Sequence, residues 1–180
     1  MDALVRSFVC VDMPLSLREA VWKEMSGFRG ELRELKWVPV EGMHVTLLFC
    51  GEQTAEVLGR FSRALGKLLS LAGPPSFSLA AGRLGGFPAL NRFRTLFLSL
   101  EGDMASLQKL ASLCGMAGAE AGIPGDNRPF HPHLTLARAR VPVHLSREWA
   151  LAALPSWRAD TVARFRSDLL PSGPVYTLLE

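Results

Sequence analysis

Two tetrapeptides, His44-Val45-Thr46-Leu47 and His133-Leu134-Thr135-Leu136, are nearly the same and stand 89 residues apart in a chain of 180. The chain has four histidines, and two of them open this pattern. Such a repeat at half the chain length points to an internal duplication with one functional element in each copy. It predicts a fold with two pseudo-symmetric lobes, because each copy must build a similar strand to carry the motif. Side chains alternate across a strand, so His44 and Thr46 share one face while Val45 and Leu47 enter the core. His133 and Thr135 are set apart from Leu134 and Leu136 in the same way. Two related strands can therefore present two imidazoles and two hydroxyls to one cleft.

The elements around the motifs fit that plan. Residues 4–11 form an apolar, β-branched run that reads as a strand, and 43–50 reads as another, ending at Gly51. Ser16 and Glu19 spell a capping box, which predicts a helix from there to about Gly27. A short strand is expected at 36–38, closed by Pro39. From Thr54, apolar residues at Val57, Leu58, Phe61, Ala64, Leu65, Leu68 and Leu69 follow helical spacing until Gly73-Pro74-Pro75. The second half repeats the order: a strand at 77–81, a Gly- and Arg-rich loop at 82–94, a strand at 95–100 and a helix at 103–121. A polar loop at 122–132 then leads to the strand 133–137. A short helix is expected at 146–154, with strands at 157–165 and 175–179. Strands mixed with two long helices make this an α+β chain, read as a single domain over 1–180 whose two pseudo-symmetric, antiparallel-rich sheets are flanked by helices around a central cleft.

Composition narrows the setting. With 48% hydrophobic and 21% charged residues the chain can bury a sizeable core. No apolar run approaches the roughly 20 residues a membrane span needs, and residues 1–6 lack the pattern of a signal peptide. Cys10, Cys50 and Cys114 are an odd, scattered set inside apolar segments, read as buried thiols in a reducing cytoplasm. The net charge of +3 mildly favours an anionic partner.

A pair of imidazoles can supply a base and an acid together near neutral pH. Hydroxyls two residues further on can donate to the non-bridging oxygens of a phosphate held between them. The pattern suits attack of water at phosphorus, with one His taking the water proton and the other protonating a departing ribose oxygen. A strained cyclic ribose phosphate would need no metal or other cofactor for this. Two other readings stand beside it. His131, His133 and His44 could make a three-histidine zinc site, although Thr at the third place of both motifs and Pro132 between the paired ligands fit it poorly. The chain could also be a non-catalytic nucleotide or RNA binder.

These motifs resemble those of the 2H phosphoesterases, and among them the RNA 2′,3′-cyclic phosphodiesterases also called 2′-5′ RNA ligases. Arg6-Ser7-Phe8-Val9 is similar to the family's opening strand. Lys36-Trp37-Val38-Pro39 with 43–51, and Phe130-His131-Pro132-His133 with 134–138, are similar to its two His-x-Thr strands. Gly85-Gly86-Phe87-Pro88 and Gly173-Pro174-Val175-Tyr176 are similar to further signatures. The resemblance implies a bilobal fold and hydrolysis of cyclic-phosphate RNA ends, in tRNA fragments, oligonucleotides or cyclic mononucleotides, to 2′-phosphomonoesters. It leaves open reversible 2′-5′ joining. It implies His44 as the proton donor and His133 as the acceptor, with Thr46, Thr135 and Arg138 on the phosphate. Nothing in the sequence calls for more than a monomer. Strict alternation puts Arg138 on the face opposite His133, so that role requires a bulge between them. Phe8, Phe49 and Phe130 are candidates for stacking on a base, and Arg83, Arg92, Arg94 and Arg128 for tracking an RNA backbone. His131 and His144 read as loop residues.

Overall fold

The computed structural model describes residues 3–125, 128–145, 149, 151–171 and 173–179. In chain order the strands are β1 (Val5–Val11), β2 (Lys36–Trp37), β3 (Val45–Gln53), β4 (Phe77–Ala89), β5 (Arg92–Gly102), β6 (His133–Val143), β7 (Trp157–Ala159), β8 (Val162–Leu170) and β9 (Gly173–Leu179). The helices are α1 (Leu15–Glu24), α2 (Ser26–Glu31), α3 (Ala55–Ala72) and α4 (Met104–Ala121).

Strand order is β7-β4-β5-β6-β3-β1-β8-β9, with β2 paired to β6, and every pairing is antiparallel. The sheet has two halves. One is β7-β4-β5-β6, the other β3-β1-β8-β9, and the recorded register joins them at one pair, Val45 with Leu134. The expected two sheets are thus halves of a continuous one. The chain's last two strands return to the half that its first strand began.

Alternation explains which face is covered. Val9, Val11, Val45, Leu47, Leu96, Leu98, Leu134 and Leu136 point to the helices and share one large core with Leu58, Phe61, Leu107, Leu110 and Cys114. Phe8, Cys10 and Ala163 turn the other way, with Phe165 and Tyr176 packed on them. Helix α3 starts where Thr54 accepts a hydrogen bond from the Val57 amide at 3.3 Å, a cap worth about 1 kcal/mol. Asp103 does the same for α4 through the Ser106 amide at 3.0 Å. That helix ends at Gly122, whose φ of 83° lies in the left-handed region that favours glycine.

Three local expectations need correction. The capping box at Ser16 is not formed: α1 begins at Leu15, with Pro14 in the cap position two residues before Ser16 and no side-chain cap. Arg18 instead anchors that turn through the Met13 carbonyl at 2.8 Å and the Asp12 carboxylate. The loop expected at 82–94 is a hairpin, since β4 runs to Ala89 and β5 starts at Arg92, so Arg83, Arg92 and Arg94 sit on strands. Of the short helix expected at 146–154, residues 146–148 and 150 lie outside the described residues, and 151–154 carries no helix. Among the described residues, no helix is long and apolar enough to cross a membrane.

Candidate active site

The two histidines meet where the sheet halves meet. Because Val45 pairs with Leu134 in antiparallel register, the next positions set His44 across from Thr135 and Thr46 across from His133. A local pseudo-two-fold axis therefore runs through that pair. All four side chains line one cleft of about 670 Å³, together with Arg6, Phe49, Arg138 and Tyr176.

Each imidazole is held by the same device. The Nδ1 of His44 lies 2.8 Å from the Gly42 carbonyl oxygen, and the Nδ1 of His133 lies 2.7 Å from that of His131. A carbonyl only accepts, so Nδ1 carries the proton in both rings and Nε2 is left for chemistry. Neutral, each Nε2 accepts a proton; protonated, it donates one.

A second duplicated device follows each threonine. On β3, Cys10 pairs with Thr46 but Val9 pairs with Leu48, so Leu47 is an extra residue. On β6, Phe97 pairs with Thr135 but Leu96 pairs with Ala137, so Leu136 is extra. Two successive residues of each strand then face the core, Leu47 with Leu48 and Leu136 with Ala137. The bulge reverses the alternation and brings Phe49 and Arg138 onto the cleft side at equivalent positions. This is the bulge that a phosphate role for Arg138 requires, and its guanidinium also reaches the Thr95 hydroxyl at 3.3 Å.

The surroundings of the two rings differ. His44 lies on Phe8, with ring centroids 4.4 Å apart and planes at 23°, and meets the edge of Tyr176 at 5.4 Å. Burial pushes its pKa down to about 4; Arg18 and Arg138 push the same way, while the Gly42 hydrogen bond and Asp12 oppose. His133 is also lowered by burial, then by His131 and Arg138, against its hydrogen bond to the His131 carbonyl. Burial raises the Tyr176 phenol, and Arg138 and Arg6 partly offset it. Among the described residues no Asp or Glu lines the cleft, whereas Arg6 and Arg138 do, so it suits an anion.

Two stacking candidates fall away. Phe8 is 2% exposed and has His44 and Phe165 stacked against it, which leaves no free ring face for a base. Phe130 packs against the main core and is not part of the cleft wall. Phe49, 57% exposed, stands on the rim. Among the described residues no three His, Cys, Asp or Glu side chains gather as a metal site would require. His131 instead meets the edges of Phe87 and Phe97. Sequence reasoning gave no role to Arg6 or Tyr176. The available signal for the latter was that it is the chain's only tyrosine and lies in a quoted signature.

Comparison with known proteins places this geometry. The model of the 2′-5′ RNA ligase superfamily matches residues 17–168. A protein named RNA 2′,3′-cyclic phosphodiesterase from Thermus thermophilus is 36% identical, over 98% of this chain and 88% of its own. One of the same name from Methanothermobacter thermautotrophicus is 28% identical over 98% and 97%. A solved structure from Thermus thermophilus superposes with a TM-score of 0.80 at 36% identity, covering 97% of this chain and 95% of that one. Escherichia coli LigT complexed with 3′-AMP gives 0.77 at 25% identity, over 98% and 96%.

Proposed function

The chain belongs to the 2′-5′ RNA ligase superfamily, and from that premise we propose that it opens 2′,3′-cyclic phosphates at RNA ends, leaving a 2′-phosphomonoester. The observation that carries this is the pair of Nδ1-anchored imidazoles on either side of the Val45–Leu134 junction, in one cationic cleft. Such a substrate is specific to RNA, because the ring includes the ribose 2′-oxygen.

In the proposed reaction His133 takes a proton from water as its oxygen attacks phosphorus. The P–O3′ bond breaks, and His44 gives its proton to O3′. Thr46, Thr135 and Arg138 donate to the non-bridging oxygens, where charge develops. The unequal rims support the division of roles. Phe49 offers a ring for the nucleobase on the His44 side, and Arg138 a fork for phosphate on the His133 side. The nucleoside, and with it O3′, then lies toward His44, and water enters by His133. Both imidazoles are mostly neutral in the unliganded protein, so His44 must gain a proton on binding. The phosphodiester anion supplies the opposite charge that favours this. With an alcohol in place of water, the same pair in the same roles would run 2′-5′ joining, and in exchanged roles its reversal. Because one chain completes the site, we propose a monomer; its cysteines, free and buried, fit a reducing cytoplasm.

Incubation with a 2′,3′-cyclic mononucleotide and a chelator tests the reading. It expects undiminished turnover to the 2′-monophosphate; a 3′-monophosphate, or loss of activity on chelation, would overturn it.

A further inference from the structure

The chemistry above leaves Gly85-Gly86-Phe87-Pro88 unassigned, yet this part of β4 packs beside the second histidine. Phe87 and Phe97 stack on each other, with centroids 4.4 Å apart and planes at 28°. Both press on His133, Phe87 at 5.1 Å and 82°, Phe97 at 5.2 Å and 60°. They hold His131 in the same manner, at 5.2 and 5.6 Å. His131 in turn supplies the carbonyl that accepts the Nδ1–H of His133. The imidazole is thus bounded by a hydrogen bond and by two rings nearly perpendicular or steeply tilted to it, which fixes its rotation.

Gly85 makes this packing possible. It pairs with Phe97 across β4 and β5, and a Cβ there would stand 2.4 Å from Phe97 Cε2 and 2.5 Å from Cζ. Any side chain would push the ring toward the histidines. None of Gly85, Phe87 and Phe97 lines the cleft, so they can reach the substrate only through His133.

We infer that Gly85, Phe87 and Phe97 are positioning residues for His133: the glycine leaves the space that seats Phe97, and the two stacked rings aim Nε2 at the phosphate. This rests on the reading of His133 as the base. The titratable groups acting on His133 are His131 and Arg138, while Phe87 from β4 and Phe97 from β5 contribute only uncharged rings. Loss of a ring therefore acts through shielding and orientation.

The test is steady-state hydrolysis of a 2′,3′-cyclic mononucleotide by Phe87→Leu, Phe87→Tyr, Phe97→Leu, Gly85→Ala and the Gly85→Ala/Phe97→Leu double variant, each with a melting curve. Phe87→Leu and Phe97→Leu should lower kcat about 10- to 100-fold with KM little changed, as expected for a misaimed base. The alkaline limb of kcat/KM, which reports His133, should move up as water reaches the ring. Phe87→Tyr, at a half-buried site, should restore both. Gly85→Ala should be costly alone and nearly silent when Phe97 is already Leu. Unchanged kcat in Phe87→Leu would overturn the inference, as would a lowered Tm with no change in kcat or limb. Equal cost of Gly85→Ala in both backgrounds would also reject it. Should Gly85→Ala not fold, the Phe87 pair still decides. Failure of the functional reading itself looks different: the parent protein would show no turnover, or His133→Ala would keep it.

Discussion

Acidification from pH 7 to pH 4 should cost the folded protein about 3 kcal/mol through His44 alone. The imidazole lies against the Phe8 face and the Tyr176 edge, and its pKa falls from the ordinary 6.5 to about 4. Between those two values the unfolded chain holds a proton on His44 that the folded chain refuses. This contribution is therefore complete above pH 6.5 and is lost as pH falls toward 4. Each unit is worth about 1.36 kcal/mol, and for a chain of this size 3 kcal/mol corresponds to a Tm change on the order of 10 °C. Other groups titrate in the same window, so the informative quantity is the difference from His44→Gln, which cannot be protonated and keeps an amide that can donate to the Gly42 carbonyl. Urea unfolding of both proteins at half-unit pH steps measures it. The parent should lose about 3 kcal/mol relative to the variant between pH 7 and 4. Parallel curves would refute the desolvated imidazole, and with it the closed aromatic wall.

His44→Ala and His133→Ala should each lower kcat roughly 100- to 10,000-fold in the cyclic nucleotide assay, with circular dichroism unchanged. Thr46→Val and Thr135→Val should cost about 10- to 1,000-fold, mainly in kcat, if their hydroxyls bind the developing charge. Arg138→Ala should weaken kcat/KM about 10- to 100-fold, with only partial recovery in Arg138→Lys, since an ammonium cannot make a two-pronged contact. In the free protein His133 is the less depressed imidazole and takes the first proton. The kcat/KM profile should therefore be a bell with its alkaline limb below 6.5 and its acid limb near 4; a plateau extending above pH 7 would contradict it.

What the sequence made legible was the pairing of like with like. Two His-x-Thr strands implied two half-sheets and a shared cleft, because alternation assigns His44, Thr46, His133 and Thr135 to one face. Alternation alone could not place Phe49 or Arg138. Their orientation depends on the extra residues Leu47 and Leu136, and apolar side chains at those positions look like ordinary core residues. The hairpin of β4 and β5 read as a loop because Gly82, Gly85 and Gly86 suggest turns. At Gly85 the missing Cβ instead makes room for a ring from the neighbouring strand. Phe8 suggested a base platform by its chemistry, and only the fold reveals that its faces are covered.

A crystal structure of the protein with a nucleoside 2′-monophosphate would measure the central geometry directly. His44 Nε2 and His133 Nε2 should each stand about 3 Å from a phosphate oxygen, one on each side of the phosphorus. A phosphate bound away from the pair, or touching only one imidazole, would contradict a two-histidine mechanism.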